Sequence, residues 1–267
     1  MTPFRALAAS CSLALIAAGL SGCDINQASD GRPASAREFP KADRPVSETT
    51  SNQFSTERAR DDRNEATTVM NLASIEKGMT VADIGAGEGY YTTRLAERVG
   101  AKGRVLAQDI DQEALDRLAL RVQRERLDNV SIKRGEVDDP MLPPDSFDRV
   151  FLIHMYHEVE EPYAFLWRLY PALKQDGQVI VVDSDRPTGE HGTPPSLLFC
   201  EFESVGFKLA AFIRRPELPG YYARFEPDGA RPDPMDIEPC VQDVALGHDA
   251  KEPEEERLAP VEKEAKA

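Results

Sequence analysis

The sequence predicts an α/β fold in which a doubly wound, mostly parallel sheet of seven strands ends in a C-terminal antiparallel hairpin. Three observations support this prediction. From Ser55 onward, short apolar runs alternate with segments of helical periodicity. A glycine-rich turn follows the first run, and an acidic residue ends the second. Strands that alternate with helices form a parallel sheet covered on both faces, and such a sheet binds ligands at the carboxyl ends of its strands.

Each element has a local signal. The apolar runs that fit buried parallel strands are 80–84, 105–107, 130–133, 148–153 and 179–182. The segments with apolar residues at helical spacing are 57–74, 91–99, 111–122, 162–177 and 196–205. Asp111 is a predicted N-cap, Pro162 opens a helix and Gly177 closes it, as these residue types do at helix ends. Segments 207–213 and 221–225 predict the closing hairpin.

Composition limits the partners. The 267 residues carry a formal net charge of -15, which argues against a nucleic-acid partner because such a protein needs a basic face to displace counterions from phosphates. Much of the acidity lies in the last forty or so residues. Residues 227–267 are rich in proline and acidic side chains, and we expect a disordered tail there.

The N-terminus predicts an export signal. Arg5 precedes an almost uninterrupted apolar stretch over 6–20, a length typical of a signal-peptide core and too short to span a membrane comfortably. The stretch ends in Leu20-Ser21-Gly22-Cys23, which resembles the lipobox of bacterial lipoproteins. The resemblance implies that residues 1–22 are removed and that Cys23 carries a lipid anchor. The protein would then lie in the cell envelope, facing the periplasm or the outside; a misassigned start would instead leave it cytoplasmic.

Residues 23–53 are polar, lack an apolar period and predict a flexible tether. Two cysteines remain in the mature chain, and in an oxidising compartment Cys200 and Cys240 could pair. The sequence slightly favours the alternative, in which Cys200 is buried on a helix and Cys240 is exposed in a loop.

The glycine-rich turn indicates which nucleoside-containing cofactor is bound. Glycines at 85, 87 and 89 follow Asp83, and the sixth position of the turn is Tyr90. A dinucleotide-binding turn has glycine at that sixth position. The spacing here resembles motif I of class I S-adenosylmethionine-dependent methyltransferases, which have a Rossmann-like fold. The resemblance covers residues 54–226 and implies S-adenosylmethionine, not NAD, as the cofactor.

Further motifs support this resemblance and assign residues to the site. Asp109 ends the second strand about twenty residues after the turn, where an acidic side chain accepts ribose hydroxyls. The segment Gly135-Glu136-Val137 resembles the family's Gly-Asp-Ala motif with glutamate in place of aspartate. The resemblance implies that Glu136 meets the adenine amine and that the Val137 amide meets a ring nitrogen. Asp83, Gly85, Gly87 and Gly89 complete the predicted cofactor set.

Transfer chemistry should lie after strands four and five. Three of the chain's four histidines fall in these two loops, and a histidine is the usual general base at neutral pH. His157 and His191 are therefore candidate catalytic residues, with a purely positioning role as the alternative. His154, His157 and Glu158 match no firm metal-ligand spacing, so no metal site is predicted.

Two functions follow. The first is an S-adenosylmethionine-dependent methyltransferase acting on a small molecule or an envelope component. The second is a noncatalytic envelope lipoprotein that keeps the fold as a ligand-binding or scaffold module. The first is the leading hypothesis, and its weak point is the compartment, because an exported enzyme would need a cofactor that is made in the cytoplasm. The sequence identifies neither the methyl acceptor nor the oligomeric state, because acceptor pockets are built from variable loops.

Overall fold

The computed structural model describes residues 30–47 and 56–242. Contacts divide the chain into Met1–Arg32 and Pro33–Ala267, and the second unit carries every helix and strand named below. Cys23 and the predicted signal peptide, residues 1–22, lie outside the described residues. In the described part of the chain no helix is both long and apolar enough to cross a membrane.

The sheet has the predicted class. Its seven strands are β1 (Thr80–Ile84), β2 (Arg104–Asp109), β3 (Val130–Arg134), β4 (Phe147–Ile153), β5 (Leu173–Asp183), β6 (Phe207–Arg214) and β7 (Tyr221–Pro227). They lie in the order β3-β2-β1-β4-β5-β7-β6. Strands β1 to β5 are parallel, whereas β7 is antiparallel to both β5 and β6. The prediction of a doubly wound, mostly parallel sheet with a C-terminal antiparallel hairpin is confirmed.

The helices cover both faces of the sheet. They are α1 (Glu57–Asp62), α2 (Glu65–Leu72), α3 (Tyr90–Val99), α4 (Gln112–Glu125), α5 (Pro162–Leu169) and α6 (Pro195–Ser204). Successive side chains of a strand point to opposite faces. Ala82 and Ile84 of β1 therefore join one core cluster with Leu166 of α5, while Val81 joins another with Leu95 of α3.

Two predicted helices end differently. The segment 57–74 is divided between α1 and α2 because Asn64 has a φ of 57°, a left-handed conformation that asparagine tolerates better than most residues. The helix that starts at Pro162 ends at Leu169, not at Gly177. Pro171 lacks the amide hydrogen that would continue it, and Gly177 lies inside β5, where a Cβ would come 2.7 Å from the Phe147 carbonyl oxygen.

The predicted tether is wrong for residues 33–47, which pack on the domain. Ala36 and Phe39 are buried in the α5 side of the core, and the Phe39 ring meets the Trp167 ring edge-on. Arg44 Nε donates to Glu201 Oε1 at 2.8 Å, where both side chains are buried. The segment is polar and has no apolar period, so its sequence did not predict this packing. A few contacts at two places are enough to hold an extended segment on the domain.

The predicted disordered tail is wrong for residues 227–242. The Trp167 indole donates to the Pro232 carbonyl at 3.0 Å, and the Arg231 guanidinium lies 3.6 Å from the centre of the Trp167 ring. Further on, the Cys240 amide donates to the Tyr163 hydroxyl at 2.6 Å. Val241 then forms a parallel bridge with Asp43. The two polar segments thus meet each other on the same side of the sheet.

The favoured arrangement of the cysteines is also wrong. Cys200 and Cys240 form a disulfide with a Cα–Cα distance of 6.0 Å. Cys240 is the buried partner, and Cys200 is exposed on α6. The reason is that the segment after β7 returns over α5 and α6 and brings Cys240 inside, which no local pattern around Cys240 indicates.

Candidate functional site

The glycine-rich turn joins β1 to α3 through backbone conformations that favour glycine. Gly85 has a φ of 67° and Gly89 has a φ of 89°. A Cβ on Gly85 would lie 2.9 Å from Met155 Cγ, and one on Gly89 would lie 2.4 Å from Leu118 Cδ1. The turn therefore brings bare backbone to the start of α3, an arrangement suited to a ligand with polar groups.

Asp109 lies opposite this turn at the end of β2. Its carboxylate accepts the Gly87 amide at 2.8 Å and the Asp111 amide at 3.0 Å. Both bonds come from backbone, so they hold the side chain in place without filling every acceptor position of its two oxygens. The remaining positions are available to a ligand hydroxyl, and Asp109 lines the cavity described below.

Asp83 is the buried carboxylate of the site. Only 3% of its surface is exposed, and the Thr92 hydroxyl donates to Oδ2 at 2.6 Å. Burial raises the pKa of Asp83 to about 6, and the Thr92 hydrogen bond offsets part of that rise. The side chain is therefore a buried anchor between β1 and α3 at the floor of the cavity.

Glu136 and Val137 border the site next to the end of β2. The Glu136 amide donates to the Asp139 carbonyl at 2.8 Å, which folds this segment into a tight turn. The Gly135 amide donates to the Asp109 carbonyl at 3.0 Å, so the turn is fastened to the end of β2. Glu136 and Val137 both line the same cavity as Asp109.

These parts enclose one cavity of about 440 Å³ at the carboxyl ends of β1, β2 and β4. Small-molecule sites commonly have about 300 to 1,000 Å³. Of the predicted cofactor residues, Asp83, Gly85, Gly87, Asp109, Glu136 and Val137 line it. Gly89 does not, and its role is to let Leu118 approach the turn. The residues present suit an adenosyl group, because a bare-backbone turn and an acidic strand end face one another across the space.

The sequence patterns did not indicate that residues of α1 and α2 border the site. Glu65 is completely buried, and its Oε1 accepts from Arg60 Nη2 at 2.6 Å and from the Tyr91 hydroxyl at 3.2 Å. Arg60 also lies 3.9 Å from the centre of the Tyr90 ring. Arg60, Tyr90 and Tyr91 line the cavity. One feature of the sequence does indicate Glu65. It lies four residues before Val69, on the same face of the helix, and the other residues of that face are apolar.

His154 links this buried carboxylate to the end of β4. Its Nε2 lies 3.3 Å from Glu65 Oε1, and its side chain lines the cavity. Burial raises the pKa of Glu65, but His154 and Arg60 outweigh that effect and lower the pKa to about 2. Glu65 is thus a fixed negative charge that orients a histidine in the cavity wall.

The two histidines proposed as catalytic lie side by side. The rings of His157 and His191 are 5.7 Å apart and almost perpendicular. His157 is 5% exposed, and its Nδ1 lies 3.0 Å from Asp183 Oδ1. Neither histidine lines the cavity, although Glu158, next to His157, does. Their catalytic role stays a prediction, and of the three described histidines His154 is the one that borders the cavity.

Comparison with known proteins agrees with this geometry. Residues 75–198 match the family model described as a methyltransferase domain. This match, the sheet order and the glycine turn together make the segment similar to a class I S-adenosylmethionine-dependent methyltransferase domain, a kind of domain whose cofactor is S-adenosylmethionine.

Individual relatives can be named. A demethylmenaquinone methyltransferase of Listeria welshimeri is 28% identical over 118 residues, which cover 44% of this chain and 50% of the relative. A ubiquinone/menaquinone biosynthesis C-methyltransferase of Methylococcus capsulatus is 29% identical over 145 residues, covering 54% and 56%. The chain spans about half the length of the curated relatives it matches.

Solved structures share the fold. A S-adenosylmethionine-dependent methyltransferase from Aquifex aeolicus superposes with a TM-score of 0.55 at 24% identity, covering 60% of this chain and 87% of that one. The [4+2]-cyclase SpnF superposes with a TM-score of 0.51 at 19% identity, covering 67% and 68%.

Proposed function

We propose that this protein is an S-adenosylmethionine-dependent methyltransferase that acts on a small molecule or on a component of the cell envelope. One observation carries the proposal: a single cavity contains both the predicted cofactor residues and a second set of side chains at the end of β4. A binding site for the cofactor alone would not need the second set. The cofactor, when bound, supplies a methyl group that is already activated on a sulfonium.

The chain's own residues then have to bind and align. In this proposal Asp109 accepts hydrogen bonds from the ribose hydroxyls, and Glu136 accepts one from the adenine amine. Hydrogen bonds of this charge-assisted kind contribute about 1.5 to 3 kcal/mol each. Fixing both reactants in line is the main contribution that a protein makes to such a transfer, because it removes translational and rotational freedom in advance.

The acceptor end of the cavity is mixed in character. Met155 and Phe165 supply apolar surface, while His154 and Glu158 supply polar groups. This suits a compact molecule with an apolar body and one or two polar substituents. The net charge of -15 disfavours a polyanionic acceptor. Because the curated relatives are demethylmenaquinone and ubiquinone/menaquinone methyltransferases, a quinone-type ring is the first acceptor to assay.

We further propose that the protein is anchored in the cell envelope through a lipid on Cys23. The lipobox-like Leu20-Ser21-Gly22-Cys23 supports this, and so does the Cys200–Cys240 disulfide, since disulfides persist mainly in oxidising compartments. Labelling with radioactive palmitate tests the anchor. Wild-type protein should incorporate label and a Cys23→Ser variant should not; equal labelling of the two would refute it.

The alternative, a noncatalytic ligand-binding lipoprotein, is kept because the fold does not define the reaction. A structure with this fold is described as a [4+2]-cyclase. Binding and turnover separate the two functions. Titration calorimetry should give heat with S-adenosylmethionine and with its demethylated product, and none with NAD. A transfer assay with methyl-labelled cofactor and quinone-type phenols should then yield labelled product.

The outcomes are distinct. Binding of NAD but not of S-adenosylmethionine would refute the cofactor assignment. Binding of S-adenosylmethionine without product formation across small-molecule and envelope-extract acceptors would favour the noncatalytic alternative. An Asp109→Asn variant checks that both signals come from this cavity. It should reduce both cofactor binding and methyl transfer while leaving the fold intact.

A further inference from the structure

We propose that His157, Glu158 and His191 bind a divalent transition-metal ion at the edge of the cavity. The possible ligand atoms of these three side chains all lie within 4.8 Å of one another. Two imidazoles and one carboxylate form a ligand set typical of catalytic zinc and of non-haem iron(II), with coordination positions left open. The proposal does not depend on methyl transfer, because metal binding is measured directly.

His157 is held in the orientation that a metal ligand needs. Its Nδ1 lies 3.0 Å from Asp183 Oδ1 and 3.1 Å from Oδ2. Donation from Nδ1 to a carboxylate leaves the lone pair on Nε2, as in metal sites where a second carboxylate orients the histidine. Nε2 lies 3.9 Å from Glu158 Oε1, so it points toward the second proposed ligand.

Asp183 is itself fixed by three neighbours. It accepts the Ser184 amide at 2.8 Å on Oδ1 and the Thr193 hydroxyl at 2.8 Å on Oδ2, besides His157. Asp183 ends β5 and is 1% exposed. A buried carboxylate that accepts this many hydrogen bonds is held rigidly in place. Because Asp183 is rigid, it keeps the His157 ring in one orientation.

His191 belongs to a separate loop, and residues of the segments 33–47 and 227–242 form hydrogen bonds with that loop. The His191 amide donates to Ser47 Oγ at 3.0 Å, and Ser47 donates to the Thr188 carbonyl. Thr188 Oγ1 donates to Gln242 Oε1 at 2.7 Å. His191 has a φ of 57°, an uncommon conformation for a residue other than glycine that the surrounding bonds must support.

The spacing suits a site that closes slightly on its ion. Tetrahedral coordination at about 2.0 to 2.1 Å places ligand atoms about 3.3 Å apart. The observed separations, 3.9 Å for His157 to Glu158 and at most 4.8 Å in the cluster, require movements of roughly 1 Å. The Glu158 side chain is 20% exposed. Since Glu158 also lines the cavity, the ion would border the acceptor.

The sequence did not predict this metal site because the three proposed ligands are not all neighbours in the chain. His154, His157 and Glu158 lie within one loop, and their spacing matches no ligand pattern. His154 instead pairs with Glu65. The third ligand comes from the loop after β5, and only the fold brings it to the other two.

The test uses untagged full chain with its disulfide intact, stripped with a chelator. Titration calorimetry with Zn²⁺ should show one site per chain, and added Co²⁺ should give visible absorption bands of a site with nitrogen and oxygen ligands. His157→Ala, His191→Ala and Glu158→Gln should each weaken Zn²⁺ binding by more than about 100-fold, and Asp183→Asn by about 10- to 100-fold.

Two variants are matched controls for metal binding. His154→Ala removes an imidazole from the same loop, and Glu160→Gln removes an exposed carboxylate two residues after Glu158; both should keep the wild-type Zn²⁺ affinity. Glu158→Gln changes a partly exposed side chain and should retain the wild-type circular dichroism spectrum, so its loss of binding cannot be attributed to unfolding. Failure of wild-type protein to bind Zn²⁺ or Co²⁺, or equal affinity in Glu158→Gln and Glu160→Gln, would overturn the proposal.

Discussion

Replacing both Cys200 and Cys240 with serine should lower the free energy of unfolding by about 4 kcal/mol. The disulfide closes a loop with a sequence separation of 40 residues. In the chain-entropy model, a loop of that length lowers the entropy of the unfolded chain by about 13 cal/mol/K, which at 25 °C amounts to about 4 kcal/mol. The native contacts of this region depend little on the two sulfur atoms, because the Cys240 amide donates to the Tyr163 hydroxyl and Val241 forms a backbone bridge with Asp43.

Urea denaturation followed by circular dichroism measures the effect. The double variant should unfold at a lower urea concentration than the oxidised wild type, and its thermal midpoint should fall by roughly 8 to 16 °C. Reductant should shift the wild type toward the variant and leave the variant unchanged, which is the internal control. A double variant within about 1 kcal/mol of the oxidised protein would refute the entropic reasoning.

Three further predictions concern the site. Asp109→Asn should raise the Kd for S-adenosylmethionine about 10- to 100-fold by calorimetry, since a charge-assisted bond to the ribose is weakened; an unchanged Kd would remove Asp109 from the site. Gly89→Ala should cost about 1 to 3 kcal/mol more in unfolding free energy than Gly229→Ala, because both have positive φ but only the first meets a neighbour, 2.4 Å away; equal losses would contradict the packing argument. Asp83, whose pKa rises from 3.8 to about 6 on folding, favours the folded state in its protonated form. That stabilisation is complete below pH 3.8 and is lost as the pH rises through 6, so wild type should lose about 3 kcal/mol relative to Asp83→Asn between these values. Parallel pH curves of the two proteins would show that Asp83 does not titrate as described.

The cavity residues that follow a strand have local signals in the sequence. Asp83, the glycine turn and Asp109 depend on short-range signals, namely an apolar run, a turn that needs positive φ and a polar residue at the strand end. The topology of a parallel sheet then brings the strand ends to one edge. For that reason the structure places Asp83, Asp109 and Glu136 around one cavity, and their binding of the cofactor stays a prediction.

The helical wall of the cavity was not predicted. Glu65 occupies a position on α2 that periodicity assigns to the core, and only its contacts with Arg60, Tyr91 and His154 explain a buried charge there. Buried charges are tolerated when they are paired and hydrogen-bonded. Pairing partners from three separate segments cannot be identified from the spacing of residues along one helix.

Local sequence by itself determined the fold class, the class of nucleoside-containing cofactor that the glycine turn suits and the acidic residue at the end of β2. Each depends on residues within a few positions of one another, where periodicity and backbone preference act directly. The tertiary structure alone decided that residues 33–47 and 227–242 dock together, that Cys200 pairs with Cys240, and that His191 meets His157. Those contacts join segments far apart in the chain, and their free energy depends on which surfaces the folded sheet brings together.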